Sequence, residues 1–191
     1  MKTIADLHIH SRFSMATSRE GTPENLDFWA RKKGISLMGT GDFTHPVWRE
    51  ELKERLVAEG NGLYRLRDEY VKEESRKFPG EGTHFVVSGE ISSIYKKNGK
   101  TRKVHNVILL PSLEAADAMA QRLEKIGNIH SDGRPILGLD SHDLLEMMLD
   151  VCPEGILIPA HIWTPHFSVL GAKSGFDSVE ECFEELTPYV H

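Results

Sequence analysis

The stretch IADLHIHSRFS, residues 4–14, puts Asp6, His8 and His10 at alternate positions of a segment that otherwise reads as a strand. In an extended chain residues i and i+2 point to the same side, about 6.5 to 7 Å apart, so the two imidazoles can lean toward one cation. Histidine and carboxylate ligands suit zinc, manganese or iron, and a mixed set with a bridging carboxylate suits a centre with more than one metal. A single His-x-His is a weak signal. The chain, however, has 10 histidines, and several of them, with two acids, follow apolar runs. These are Asp42 and His45 in GTGDFTHP, Glu90 in VVSGEIS, His105 in KVHNVILLP and His161 in LIPAHIW.

Each candidate also has a plainer reading. Asp42 fits an Asx turn, and His45 a loop residue ahead of proline. Glu90 follows residues that read as buried, where a lone carboxylate is costly; bridging two cations removes that cost. His105 also reads as a satisfied core histidine. The expected metal ligands are His8, His10, Asp42, His45, Glu90, His105 and His161. Glu90, His10 and Asp42 are expected to act in catalysis, and Asp6 to orient a ligating histidine from behind. His166 reads first as a loop residue, His142 as a helix-start residue, and His130 and His191 as surface.

Elements must bring these residues together. TIADLHIH predicts a strand. TPENLDFWARKKG predicts a helix with Thr22 as N-cap, Pro23 in its first turn, Gly34 as its stop, and Leu26, Trp29 and Ala30 as its apolar stripe. ISLMG predicts a short buried strand and VWREELKERLVAEG a polar helix, with residues 61–84 a helical excursion outside the core. Two β-rich runs flanking Asn98-Gly99 predict a hairpin. SLEAADAMAQRLEKIG and DLLEMMLDV predict helices, GILIPAHIW a strand, and DSVEECFEEL a last helix. Strands alternating with helices predict an α/β fold with a largely parallel sheet or barrel, whose site gathers at the C-terminal ends of the strands. His105, early in its run, is the exception to that rule.

The chain has 191 residues, 39% hydrophobic and 27% charged, an ordinary composition for one domain. A net charge of -6 excludes a generally basic surface, so nucleic acid would need a local patch or bound cations. YKKNGKTRK offers such a patch in Lys96, Lys97, Lys100, Arg102 and Lys103, which equally reads as a hairpin edge whose lysines deter aggregation. Trp48, Tyr64, Trp163 and Phe167 fall in expected loops where an extruded base could stack, although each reads first as core packing. Cys152 and Cys182 form no C-x-x-C pair and read as reduced thiols of a cytoplasmic protein. No leader is apparent, and no apolar run of about 18 residues occurs.

The motifs together resemble a known family. DLHIHS, the Asp of GDFTH, the GE of VVSGEIS, VHNVILL and PAHIW follow the order of the motifs of the polymerase-and-histidinol-phosphatase (PHP) superfamily, over residues 6–161. GTGDFTHP, PAHIWTPHFSVLGAKSGFDSVEECF and the run toward LTPYVH are similar to its endonuclease Q branch, which cleaves DNA on the 5′ side of deaminated or abasic lesions. The resemblance implies a distorted (β/α)7 barrel over residues 1–191, incomplete at its C-terminal side. It also implies two or three divalent cations (zinc, manganese or iron), Glu90 as a bridge between them, and hydrolysis of phosphoesters in DNA with deaminated bases. Two departures stand out. Phe43 follows Asp42 where the superfamily commonly has histidine, so His45 must compensate. No Asp-x-His follows His161, which implies an N-terminal portion of a longer protein, inactive alone. Two other readings stay open: a small-molecule phosphatase of the same superfamily, and a non-catalytic metal-binding barrel.

Overall fold

Asn98 and Gly99 both take positive φ, 54° and 72°, as the tight turn between twisted strands requires. In the computed structural model, which describes residues 3–191, they fold β5 (His84–Lys97) back onto β6 (Lys100–Leu110). The antiparallel ladder runs unbroken from Val87↔Leu110 to Lys97↔Lys100. Alternation then sorts the side chains. Ile91, Val104, Ile108 and Leu110 enter the main core, while Glu90, His105 and Val107 share the opposite face.

This hairpin is the spine of an eight-stranded sheet. β1 (Ala5–Asp6) pairs in parallel with β2 (Leu37–Gly39), which pairs in parallel with the start of β5. β3 (Leu56–Gly60) and β4 (Leu63–Leu66) form a second hairpin, with β4 against β5. β7 (Ile136–Leu137) lies parallel to β5, and β8 (Ile156–Pro159) antiparallel to β6. No ladder joins β1 to β8 among the described residues, so the sheet curls without closing into a barrel.

Among the described residues five α-helices cover it: α1 (Pro23–Lys33), α2 (Pro46–Arg55), α3 (Leu113–Glu124), α4 (Ser141–Val151) and α5 (Val179–Phe183). Thr22, Ser112, Asp140 and Ser178 cap α1, α3, α4 and α5, each accepting a backbone N–H of the first turn. α3 buries Leu113, Ala116, Met119, Ala120 and Leu123. Each large apolar side chain so buried contributes about 1.5–3 kcal/mol.

Several expectations need correction. The first strand stops at Asp6 rather than His10. Beyond it the chain runs against Gly39 and Gly41, where an added Cβ would come 2.6 Å from the carbonyl oxygens of Leu7 and Ile9. Close backbone packing there replaces a ladder. The polar helix ends at Arg55, and residues 61–84 hold β4 and two 3₁₀ turns (Asp68–Tyr70, Ser75–Lys77) rather than a helical excursion. Leu56 pairs with Leu66 in that second hairpin, and Tyr64 and Leu66 are buried in the core. The sheet is mixed rather than largely parallel, because both long hairpins are antiparallel. On α1 Trp29 is exposed, and the buried position beside Ala30 belongs to Asp27, which accepts two bonds from Arg31 Nε. No helix among the described residues is long and apolar enough to cross a membrane.

Candidate metal centre

Glu90 stands on β5, on the face away from the main core. Its neighbour in the ladder, His105, is one step diagonal on β6, since Ser92 opposes His105 and Glu90 opposes Val107. His8 and His10 leave the end of β1, and His161 follows β8 in a turn with φ 33°. Around Glu90 Oε1 lie His8 Nε2 at 3.1 Å, His105 Nδ1 at 3.1 Å and His161 Nε2 at 3.6 Å. Around Oε2 lie His10 Nε2 at 3.4 Å and Arg134 Nη1 at 3.2 Å. The ligand atoms form two sets, His8–His10–Glu90 and Glu90–His105–His161, each with its atoms within 4.8 Å of one another. Glu90 belongs to both.

The donors fit a divalent cation. Glu90 is 2% exposed, yet Oε1 receives no hydrogen bond. The ring nitrogens of His8, His105 and His161 stand around it at 3.1, 3.1 and 3.6 Å. A buried carboxylate oxygen left without a donor is costly, and imidazole nitrogens gathered around it are a donor set that suits a shared cation. Burial pushes the Glu90 carboxyl up, but His10, His105 and His8 outweigh burial and hold it far below the usual carboxylate range. Burial lowers the pKa of His161, and the charge of His105 lowers it further. Both shifts favour the forms that ligate metals.

Two expected ligands stay outside these sets. Asp42, fully buried at φ 51°, lies behind His10. Its Oδ1 is 3.0 Å from His10 Nδ1, and its Oδ2 accepts from Ser11 N (2.7 Å), Ser11 Oγ (2.7 Å) and Ser14 Oγ (2.9 Å). It occupies the orienting place that the sequence reading gave to Asp6, which is half-buried in β1. The Asp42 bond, followed by that to Glu90, raises His10 to about 9. His45 caps α2, stacks on Phe13 with ring centroids 4.2 Å apart, and is depressed by burial. Pro46 starts the helix immediately after it, and the imidazole is buried. His166 is exposed and also lies outside both sets. His142 is tied to Asp143 and Glu185, and His130 to Glu124.

Three contributors were not foreseen. Ser11 and Ser14 directly follow the His-x-His segment and hold Asp42. Arg134 reaches Glu90 from the segment Asp132-Gly133-Arg134-Pro135, whose Asp-Gly pair is a turn signal that the sequence reading did not use. The basic hairpin is only partly available. Lys97 is engaged by Asp140 (3.3 Å) and Glu184 (2.7 Å), and Arg102 is buried over the Phe176 ring, bonded to the carbonyl of Gly175. Lys96 and Lys100 are exposed, and Lys103 sits over the Phe167 ring. Of the aromatics, Trp48 and Tyr64 are core residues and Phe167 packs on His105 at 4.7 Å. Trp163 is 79% exposed in the turn where Thr164 Oγ1 meets His161 Nδ1 at 2.9 Å.

No family model matches the chain. Over 175 residues it is 33% identical to an uncharacterised protein of Methanocaldococcus jannaschii, a match covering 91% of this chain and 18% of that protein. The crystal structure of a lesion-specific endonuclease Q from Pyrococcus furiosus matches with TM-score 0.76 and 27% identity, over 96% of this chain and 40% of that one. Endonuclease Q bound to a 27-mer duplex substrate with an abasic lesion at its active site matches with TM-score 0.73 and 27% identity, over 95% and 40%. A proposed metal-dependent phosphoesterase of Bifidobacterium adolescentis matches with TM-score 0.50 and 15% identity, over 85% of this chain and 68% of that one, a likeness of fold alone. The open, curled sheet matches the PHP-type fold of endonuclease Q over the region that the two chains share.

Proposed function

We propose that the chain is the catalytic domain of a metal-dependent phosphoesterase that cuts DNA beside deaminated or abasic lesions, as its resemblance to endonuclease Q implies. The observation that carries this reading is the sharing of Glu90 by two sets of histidines. His8, His10 and Glu90 would hold one divalent cation, and Glu90, His105 and His161 a second. Cations bound there supply a water of lowered pKa and neutralise charge on the phosphoester.

The chain's own residues prepare that site. Asp42 fixes His10 through Nδ1, which turns Nε2 toward Glu90. Ser11 and Ser14 hold Asp42 in place. Asp42 is therefore a positioning residue, and His10 and Glu90 are ligands. The cations would give an acidic protein its local attraction for a phosphate backbone, and Lys96, Lys100 and Lys103 extend it along the hairpin. Trp163 offers an exposed indole beside His161 on which an unstacked base can rest.

The test uses the full-length protein with added Mn²⁺ or Zn²⁺ and three substrates: a duplex containing hypoxanthine, uracil or an abasic site, the unmodified duplex, and a phosphomonoester. Nicking confined to the lesion duplexes is expected. Release of phosphate from the monoester without nicking would replace this reading with the small-molecule phosphatase. No turnover of any substrate by metal-loaded protein would leave the non-catalytic barrel.

A further inference from the structure

Arg134 is, among the described residues, the Lys or Arg that pairs with Glu90, with Nη1 3.2 Å from Oε2. Its backbone is held firmly. Asp132 Oδ1 accepts from Arg134 N at 2.9 Å, Gly133 N donates to Phe13 O at 3.0 Å, and Ser92 N donates to Pro135 O at 3.0 Å. Gly133 lies so close to Asp42 that an added Cβ would come 2.3 Å from Oδ2. The segment is thus wedged against the base of the centre. The side chain is 37% exposed and, among the described residues, its one ion pair is with Glu90. A permanently charged guanidinium, weakly hydrated and forked, is well matched to a phosphate.

We infer that Arg134 takes two anions in turn: the Glu90 carboxylate and, once cations hold Glu90, a non-bridging oxygen of the substrate phosphate. This rests on the reading of Glu90 as a shared ligand. Cations held by Glu90 would satisfy the carboxylate and repel the guanidinium. The next anion to enter that pocket is the phosphate that the cations themselves attract. Arg134 is therefore a competitor with cations for Glu90 and a clamp for the phosphate that bound cations attract.

The two roles predict opposite effects for one substitution, and neither needs turnover to be read. In titration calorimetry of the full-length protein with Mn²⁺, R134A and R134Q should bind at least as tightly as the unsubstituted protein, because a competitor for Glu90 is gone. Inorganic phosphate added to the Mn²⁺-loaded forms should then bind about tenfold or more weakly to both variants, as expected for loss of a charge-assisted pair. In turnover, KM should rise more than kcat falls, and R134K should restore only part of the loss. Weaker Mn²⁺ binding in both variants, with unchanged circular dichroism, would make Arg134 a prop for Glu90 and overturn the inference. Unchanged phosphate affinity would overturn it as well. If the unsubstituted protein binds Mn²⁺ and phosphate but cleaves no phosphoester, the function reading fails while the Arg134 result still stands. If it binds no Mn²⁺, both fall.

Discussion

His10 is held at both ring nitrogens, with Asp42 Oδ1 3.0 Å from Nδ1 and Glu90 Oε2 3.4 Å from Nε2. Asp42 therefore sets the orientation of the His10 ring, which is proposed as a ligand. Asp42→Asn keeps the shape but weakens the pull on the Nδ1 proton, and cation affinity should fall about 10- to 100-fold, as for other residues that orient a ligating histidine. Asp42→Ala also strands Ser11 and Ser14, and each unsatisfied buried donor costs about 1–3 kcal/mol. Calorimetric Mn²⁺ titration beside thermal melting separates the two. Equal affinity in D42N and the parent would show that Asp42 positions nothing.

The same pair sets a pH dependence. His10 is raised from 6.5 to about 9, chiefly by Asp42, so in the metal-free chain it is protonated at neutral pH. The paired imidazolium adds stability that is fully present below pH 6.5 and lost as pH rises toward about 9. Cation binding must release that proton. Affinity for Mn²⁺ should climb by up to about tenfold per pH unit between 6.5 and 9 and then level off. A flat profile over that range would contradict the assignment of His10 as a ligand.

Trp163 separates the nucleic-acid reading from the small-molecule one. Its indole is exposed, so Trp163→Ala should leave stability within about 0.5 kcal/mol of the parent. Loss of one stacked base corresponds to about 1–3 kcal/mol, or roughly a five- to hundredfold drop in affinity for the lesion duplex. Turnover of a small phosphoester should not change. Equal losses on both substrates would show that Trp163 supports His161 rather than a base.

Cys182 is fully buried beside Tyr95, whose hydroxyl is 3.7 Å from Sγ, and burial first of all pushes its thiol up to about 12. A thiolate is the reactive form. At pH 8 the folded protein should resist iodoacetamide at Cys182, while denatured protein is labelled at both Cys152 and Cys182. Mass spectrometry of digests reads the difference, and rapid labelling of Cys182 in folded protein would contradict the packing of α5.

Much of this was legible in the residues, for specific reasons. Asn98-Gly99 names its own turn because few residue pairs accept positive φ twice. Thr22, Pro23 and Gly34 bracket α1 through local bonding alone. His8, His10, Glu90, His105 and His161 stood out because charge among apolar residues needs a partner. The rest depended on contacts distant in sequence. The place of Asp42 under His10 rests on Ser11 and Ser14, which hold its carboxylate there. Arg134 lies 44 residues from Glu90, in a segment with no periodicity to read. β4 was missed because residues 61–84 are charged overall, while Tyr64 and Leu66 alone carry its buried side.

The central claim is that one carboxylate, Glu90, serves two cations. Anomalous diffraction from crystals of the full-length protein grown with Mn²⁺ tests it most directly. Two peaks are predicted, one bounded by His8, His10 and Glu90, the other by Glu90, His105 and His161, each about 2 Å from its ligand nitrogens. Glu90→Gln should sharply reduce both. A single peak that leaves Glu90 untouched, or full occupancy of both sites in the glutamine variant, would contradict the account.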